Sequence, residues 1–192
     1  KRTSFSKRQW EGLIEHCDDL KIEFISSPFS EEAVDLLDKL GLQCFKIPSG
    51  EISNTPMLQK ISLTKKPVIL SSGMSSWLEL DNAVKLFKKN QNKITLLQCT
   101  SEYPCSYKNV GINIMEEMER RYQVPVGLSD HTLTNYASFL AVSRGASVIE
   151  KHLTFSKKMY GSDAKHSLEP EEFKDLVEGI IAICLLYTSD AA

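Results

Sequence analysis

Two histidines carry the first chemical signal in this sequence. His131 and His152 each close a short apolar run: His131 lies three residues past Val124–Leu128, and His152 directly follows Ser147–Lys151. Two neutral imidazoles with open positions beside them suit a divalent metal such as Mn²⁺, Zn²⁺ or Fe²⁺. The bland alternative is a pair of structural histidines bonded to backbone. Asp130, next to His131, is expected to orient a ligand from behind. Lys46 is the second signal. It lies in the apolar run Cys44–Ile47, where an unpaired charge is costly to bury. It therefore calls for an anionic partner, either Glu51 or a bound phosphate or carboxylate. Ser27, Ser49-Gly50 and Ser71-Ser72-Gly73 offer small hydroxyls and free backbone N–H groups of the kind that cradle anions. Taken singly, such serines are ordinary turn residues. Together with Lys46 they point to a phosphate-bearing substrate. Glu51 and Asp163 are candidate acids, able to bond sugar hydroxyls or move protons. Tyr103 can stack on or bond a substrate, or serve as a core tyrosine.

These residues need elements to hold them. Short apolar runs of strand character lie at Ile22–Ser26, Cys44–Ile47, Val68–Ser71, Ile94–Gln98, Val124–Leu128 and Ser147–Lys151. Stretches with helical spacing separate them, including Glu31–Leu40, Trp77–Lys88 and Asn135–Arg144. A helix over Lys7–Leu20 precedes the first run, and another begins at Pro170, with Glu171 and Glu172 placed where the helix dipole favours acids. This alternation predicts parallel strands joined by helical crossovers. An eight-unit β/α barrel needs ~250 residues, so six units read as a (β/α)8 TIM-barrel fragment lacking roughly the first two. A doubly wound open sheet is the rival, but no G-x-G-x-x-G is present. In a barrel the site forms at the carboxyl ends of the strands. All six runs are followed by hydroxyl, amide or ionisable residues, whereas the loops before the strands are plain. Lys151, in register beside His152, is expected to face outward. His16, His166, Trp10 and Trp77 read as surface or packing residues.

The composition narrows the classes. The chain has 192 residues, and its net charge of −2 gives no basic excess for nucleic acid or an anionic membrane. No apolar run approaches the ~20 residues of a membrane span. Five scattered cysteines without a C-x-x-C argue for a reducing cytoplasm rather than a disulfide scaffold. Cys44 and Cys99 read as buried small hydrophobes. Lys1 opens in polar sequence. At the other end, 184–192 breaks the preceding helical pattern and is set apart as a non-native tail, leaving 1–183 as the partial barrel.

Seven motifs now stand in order: Phe-Ile-Ser-Ser-Pro-Phe-Ser (24–30), Phe-Lys-Ile-Pro-Ser-Gly-Glu (45–51), Leu-Ser-Ser-Gly-Met (70–74), Gln-Cys-Thr-Ser-Glu-Tyr-Pro (98–104), Gly-Leu-Ser-Asp-His-Thr (127–132), Glu-Lys-His-Leu-Thr (150–154) and Ser-Leu-Glu-Pro-Glu-Glu-Phe (167–173). Each is weak alone. In register they resemble the sialic acid synthase family, whose members make N-acetylneuraminic, legionaminic and spore-coat sugar acids. The resemblance implies condensation of phosphoenolpyruvate with an N-acetylmannosamine-type aldehyde, with release of phosphate. It implies that His131 and His152 hold a divalent metal, Mn²⁺ first, with Mg²⁺ or Co²⁺ as alternatives. It implies that Lys46, Ser27, Ser49, Ser71, Ser129 and Tyr103 cradle phosphoenolpyruvate. Glu51 and Asp163 become sugar contacts, with Glu51 helping in proton transfer.

The sequence also departs from the family. Ser27 stands where threonine is frequent, and Ser101 where neuraminate-making members often have asparagine. Thr-Ser-Glu-Tyr-Pro (100–104) looks more like the legionaminic or spore-coat branch. The first two barrel units and a small antifreeze-like domain, which in the family reaches over the partner's site in a homodimer, find no counterpart. The expectation is that this piece of an enzyme is itself inactive. A Schiff-base aldolase using Lys46 and a non-catalytic carbohydrate-binding barrel are the competing readings.

Overall fold

The computed structural model of the protein describes residues 4–187. Helices α1 (Lys7–Asp19) and α2 (Glu31–Lys39) come first. Five strand–helix units follow: β1 (Phe45–Ile47) with α3 (Thr55–Leu63), β2 (Val68–Ser71) with α4 (Trp77–Lys89), β3 (Ile94–Cys99) with α5 (Ile112–Tyr122), β4 (Val126–Asp130) with α6 (Tyr136–Ser143), and β5 (Val148–Lys151) with α7 (Pro170–Tyr187). Local chemistry explains where the helices begin. Ser30 accepts the Ala33 N–H at 3.2 Å to cap α2. Ser76 and Glu79 form a reciprocal capping box on α4. Asn54 caps α3, which carries Pro56 in its first turn, where a missing N–H costs nothing.

All five strands are parallel and lie in the order β1-β2-β3-β4-β5. A doubly wound sheet must reverse direction somewhere in its strand order. No reversal occurs here, so each strand sits beside its sequence neighbour, as in a β/α barrel. The sheet curls into part of such a barrel. Alternation along each strand sorts the side chains. Phe45, Ile47, Leu70 and Leu96 are completely buried and face the helices, against Met57 and Ile61 of α3, Phe87 of α4 and Met115 of α5. Burial of each such side chain contributes ~1.5–3 kcal/mol, and this shell is what keeps the curl in place. The opposite, concave face is polar toward the carboxyl ends of the strands. Cys99 pairs with Ser129, and Ser129 with Glu150, so the three point the same way.

Two expectations need correction here. The run Ile22–Ser26 is not a full strand. It meets the sheet through one bridge, Ser26 to Phe45, with the Ser26 carbonyl accepting the Lys46 N–H at 3.2 Å. Ile22 and Ile25 are exposed. A segment bonded on one side only, with both isoleucines left in solvent, gains too little to extend its ladder. Among the described residues the sheet therefore has five strands where six were expected. β4 begins at Val126 rather than Val124 and runs on to Asp130. Pro125 has no N–H for the ladder, which fixes the start.

Of the segment set apart as a tail, residues 184–187 continue α7, and 188–192 lie outside the described residues, as does Lys1. No helix among the described residues is long and apolar enough to cross a membrane. Cys44 and Cys99 are buried, and burial pushes the Cys44 thiol up to about 11.

Candidate active site

The polar residues at the strand ends converge on one cleft of about 340 Å³. Ser27, Lys46, Ser49, Ser71, Ser101, Tyr103, Ser129, His131, Glu150 and His152 all line it. Its base is a chain of bonds across the sheet. The Lys46 Nζ donates to Ser71 Oγ at 2.7 Å and lies 3.2 Å from Glu150 Oε2. Ser129 Oγ donates to Glu150 Oε1 at 2.7 Å. The partner of Lys46 is thus Glu150, not Glu51. Beside this chain, Ser49 Oγ donates to Cys99 Sγ at 3.4 Å. Ser49, Ser101 and Cys99 close so tightly on Gly73 that a Cβ there would meet their side-chain ends at 2.7–3.0 Å.

The histidines form the opposite wall. Their ring centroids are 5.4 Å apart, close enough for both to approach one ion. The Nδ1 of His131 is 2.8 Å from the Thr100 carbonyl oxygen. That oxygen can only accept, so Nδ1 carries the proton and Nε2 keeps its lone pair. Burial holds the His131 pKa below its ordinary value, which favours this neutral form. Tyr103 is half exposed and stacks on His131 with centroids 4.2 Å apart, its ring edge-on to His152 at 5.6 Å. It is a wall of the cleft and not a core residue. Its hydroxyl pKa is raised, chiefly by burial.

Not every expected residue arrives in the cleft. Glu51 sits in a short 3₁₀ turn and accepts the Asn54 Nδ2 proton at 2.8 Å, outside the lining. Asp163 is exposed, with its carboxylate 3.9 Å from His152 Nδ1. Asp130 does not support His131. Both its oxygens turn to the outer face, to Lys151 at 2.8 Å, Ser138 Oγ at 2.7 Å and the Thr132 N–H at 2.8 Å. Lys151 likewise faces away from the cleft, yet its side chain is only 2% exposed and paired with Asp130. The support for His131 is the Thr100 carbonyl. His16 is exposed, and Trp10 packs between Phe5 and Phe24.

Glu150 was missed, although the period of two along a strand identifies it. If His131 and His152 face inward, so do Ser129 and Glu150 two residues earlier, and Asp130 and Lys151 must face outward.

The donor set fits a divalent ion through two imidazoles, one of them with its lone pair fixed toward the cleft. No group of three or more His, Cys, Asp or Glu able to hold a metal occurs among the described residues.

Comparison with known proteins gives this cleft a setting. The profile of the NeuB family matches residues 1–191. An N,N'-diacetyllegionaminic acid synthase of Campylobacter jejuni is 48% identical over 167 residues, covering 85% of this chain and 50% of that protein. The N,N'-diacetyllegionaminic acid synthase of Legionella pneumophila is 43% identical, covering 88% of this chain and 49% of that protein. A crystal structure of N-acetylneuraminic acid synthetase from Leptospira borgpetersenii in complex with citrate superposes with a TM-score of 0.93 at 32% identity, over 97% of this chain and 66% of that one. The chain spans about half the length of the curated relatives it matches.

Proposed function

The chain belongs to the NeuB family, and from that premise we propose that it carries the site at which phosphoenolpyruvate condenses with an N-acylated mannosamine-type aldehyde to give a nonulosonic acid and phosphate. The observation that carries the reading is one cleft holding an ammonium, five serine hydroxyls and two neighbouring imidazoles. An enol phosphate needs the first two groups, and an aldehyde to be polarised needs the third. The sugar is of the legionaminic type. Ser101 and the legionaminic acid synthases among the relatives support this choice.

The roles follow from position. Lys46 meets the negative charge of the enol phosphate and exchanges its bond to Glu150 for one to the ligand. Ser27, Ser49, Ser71 and Ser129 complete the cradle, and Tyr103 walls the substrate against the histidines. His131 and His152 would hold a divalent ion, Mn²⁺ first, which supplies Lewis-acid polarisation of the aldehyde oxygen and orients a water. Carbon 3 of the enol then attacks the aldehyde carbon. Water adds at carbon 2, and the carbon–oxygen bond breaks as phosphate leaves. Glu51 and Asp163 lie outside the lining, and we assign them to the sugar's outer hydroxyls, reached when substrate extends beyond the cleft. A Schiff-base role for Lys46 is disfavoured, because its nitrogen is already bonded to Ser71 and paired with Glu150.

The reading carries with it a cytoplasmic homodimer as the working form of the whole protein, and little turnover by the 192-residue chain alone. The test is a chimera in which this chain replaces its matching segment in the C. jejuni enzyme. Phosphate release should depend on both phosphoenolpyruvate and the N-acylated sugar, stop with chelator and return with Mn²⁺. Release without sugar, or undiminished by chelation, would overturn it.

A further inference from the structure

The outward rung just below the histidines has a role of its own. β4 and β5 pair in register, Ser129 with Glu150 and Asp130 with Lys151. The first rung faces the cleft, and the second faces the helices. The second is an ion pair at 2.8 Å whose side chains are 0% and 2% exposed, for Asp130 and Lys151 respectively. Its burial is compensated by bonds on every side. The Lys151 Nζ also donates to the carbonyls of Thr132 at 2.7 Å and Thr134 at 2.9 Å. Asp130 accepts from the Thr132 N–H and from Ser138 Oγ.

These bonds have one geometric consequence. The residues on both sides of His131 are tied to Lys151, the residue immediately before His152, through the Asp130 carboxylate and the Thr132 carbonyl. Asp130 precedes His131 and Thr132 follows it. The loop carrying one imidazole is thereby fastened to the strand end carrying the other. Among the described residues β5 is the last strand of the sheet, with a strand partner on one side only. On its other side a single bridge, Leu153 to Leu168, holds its end, with the His152 carbonyl accepting the Leu168 N–H at 2.9 Å, and the clamp acts beside that bridge.

We propose that the Asp130–Lys151 pair is a positioning clamp that sets the separation of His131 and His152 and, through it, the affinity of the cleft for a divalent cation. The inference rests on the reading of the two histidines as metal ligands. Neither Asp130 nor Lys151 touches the cleft, so both act only through the imidazoles.

The experiment is Mn²⁺ titration followed by electron paramagnetic resonance, alongside thermal melting. The variant is Asp130→Asn with Lys151→Met. It leaves no unpaired buried charge, and paired removal of this kind is often tolerated. The expected result is a folded protein whose Kd for Mn²⁺ rises by about tenfold or more, the range for lost support behind a metal ligand. A folded double variant with unchanged Kd would overturn the clamp. If the double variant does not fold, Lys151→Arg decides. It keeps the charge, but its planar fork cannot serve the Thr132 and Thr134 carbonyls in the same way. A Kd raised by about threefold or more at an unaltered melting temperature supports the clamp, and an unaltered Kd overturns it. Absence of Mn²⁺ binding by the unsubstituted protein would instead overturn the metal reading, and the clamp with it.

Discussion

The Lys46 ammonium lies 3.2 Å from the Glu150 carboxylate although the two residues sit on the opposite outer strands of the sheet, β1 and β5. Five flat parallel strands would hold such residues about 19 Å apart, four spacings of ~4.8 Å. The ion pair is therefore a gauge of curvature. It exists because the sheet is bent into a barrel segment, and it spans the space where the proposed anion would sit.

Opposite substitutions at this pair should have opposite effects. Lys46→Gln should weaken phosphoenolpyruvate binding by about tenfold or more, the worth of a charge-assisted bond of ~1.5–3 kcal/mol. Glu150→Gln removes the carboxylate that competes for the same ammonium and should tighten binding severalfold. Titration calorimetry on each variant checks both signs.

Gly73 leaves room that no other residue leaves. A methyl at Gly73 would sit 2.7 Å from Ser49 Oγ and 2.8 Å from Ser101 Oγ. Gly73→Ala should displace both hydroxyls, cost about 1–3 kcal/mol of stability through overpacking, and weaken phosphoenolpyruvate binding. Denaturant unfolding and ligand titration measure the two effects separately.

The α4 capping box is a local stability device. Ser76→Ala removes the oxygen that accepts the Glu79 N–H at 3.3 Å. The expected cost is about 1 kcal/mol, with no change in ligand binding, read by denaturant unfolding.

Acid should loosen the segment between β5 and α7. Glu172 accepts from Lys157 Nζ at 2.6 Å and from the Glu169 N–H at 2.8 Å, and the Lys157 bond, named first, holds its pKa below the ordinary 4.5. A carboxyl depressed in the folded state contributes stability that is present above its unfolded pKa and lost as pH falls through the folded value. Melting temperature should therefore drop as pH falls below about 4.5, and Glu172→Gln should flatten that part of the profile.

Much of this arrangement was legible in the residues. Val68–Ser71 is a strand in sequence and structure alike, because an apolar run between a Lys-rich turn and a Gly turn has one good solution. His131 and His152 were legible as neighbours because consecutive strands in a β/α repeat pair with each other. Glu150 was not, since its meeting with Lys46 depends on curvature, which no local pattern encodes. Asp130 does not support His131 despite standing next to it in sequence, because successive strand residues face opposite ways. Glu51 lies outside the lining because the 3₁₀ turn at Ser49–Glu51 directs it toward Asn54.

The most direct test of the account is the rate of nonulosonic acid formation by the chimera with His131→Ala and His152→Ala combined. If the two imidazoles hold the metal, the rate falls by at least about 100-fold, beyond what losing a mere supporting residue costs, with the fold retained. A doubly substituted chimera that makes the acid at the unsubstituted rate would contradict it.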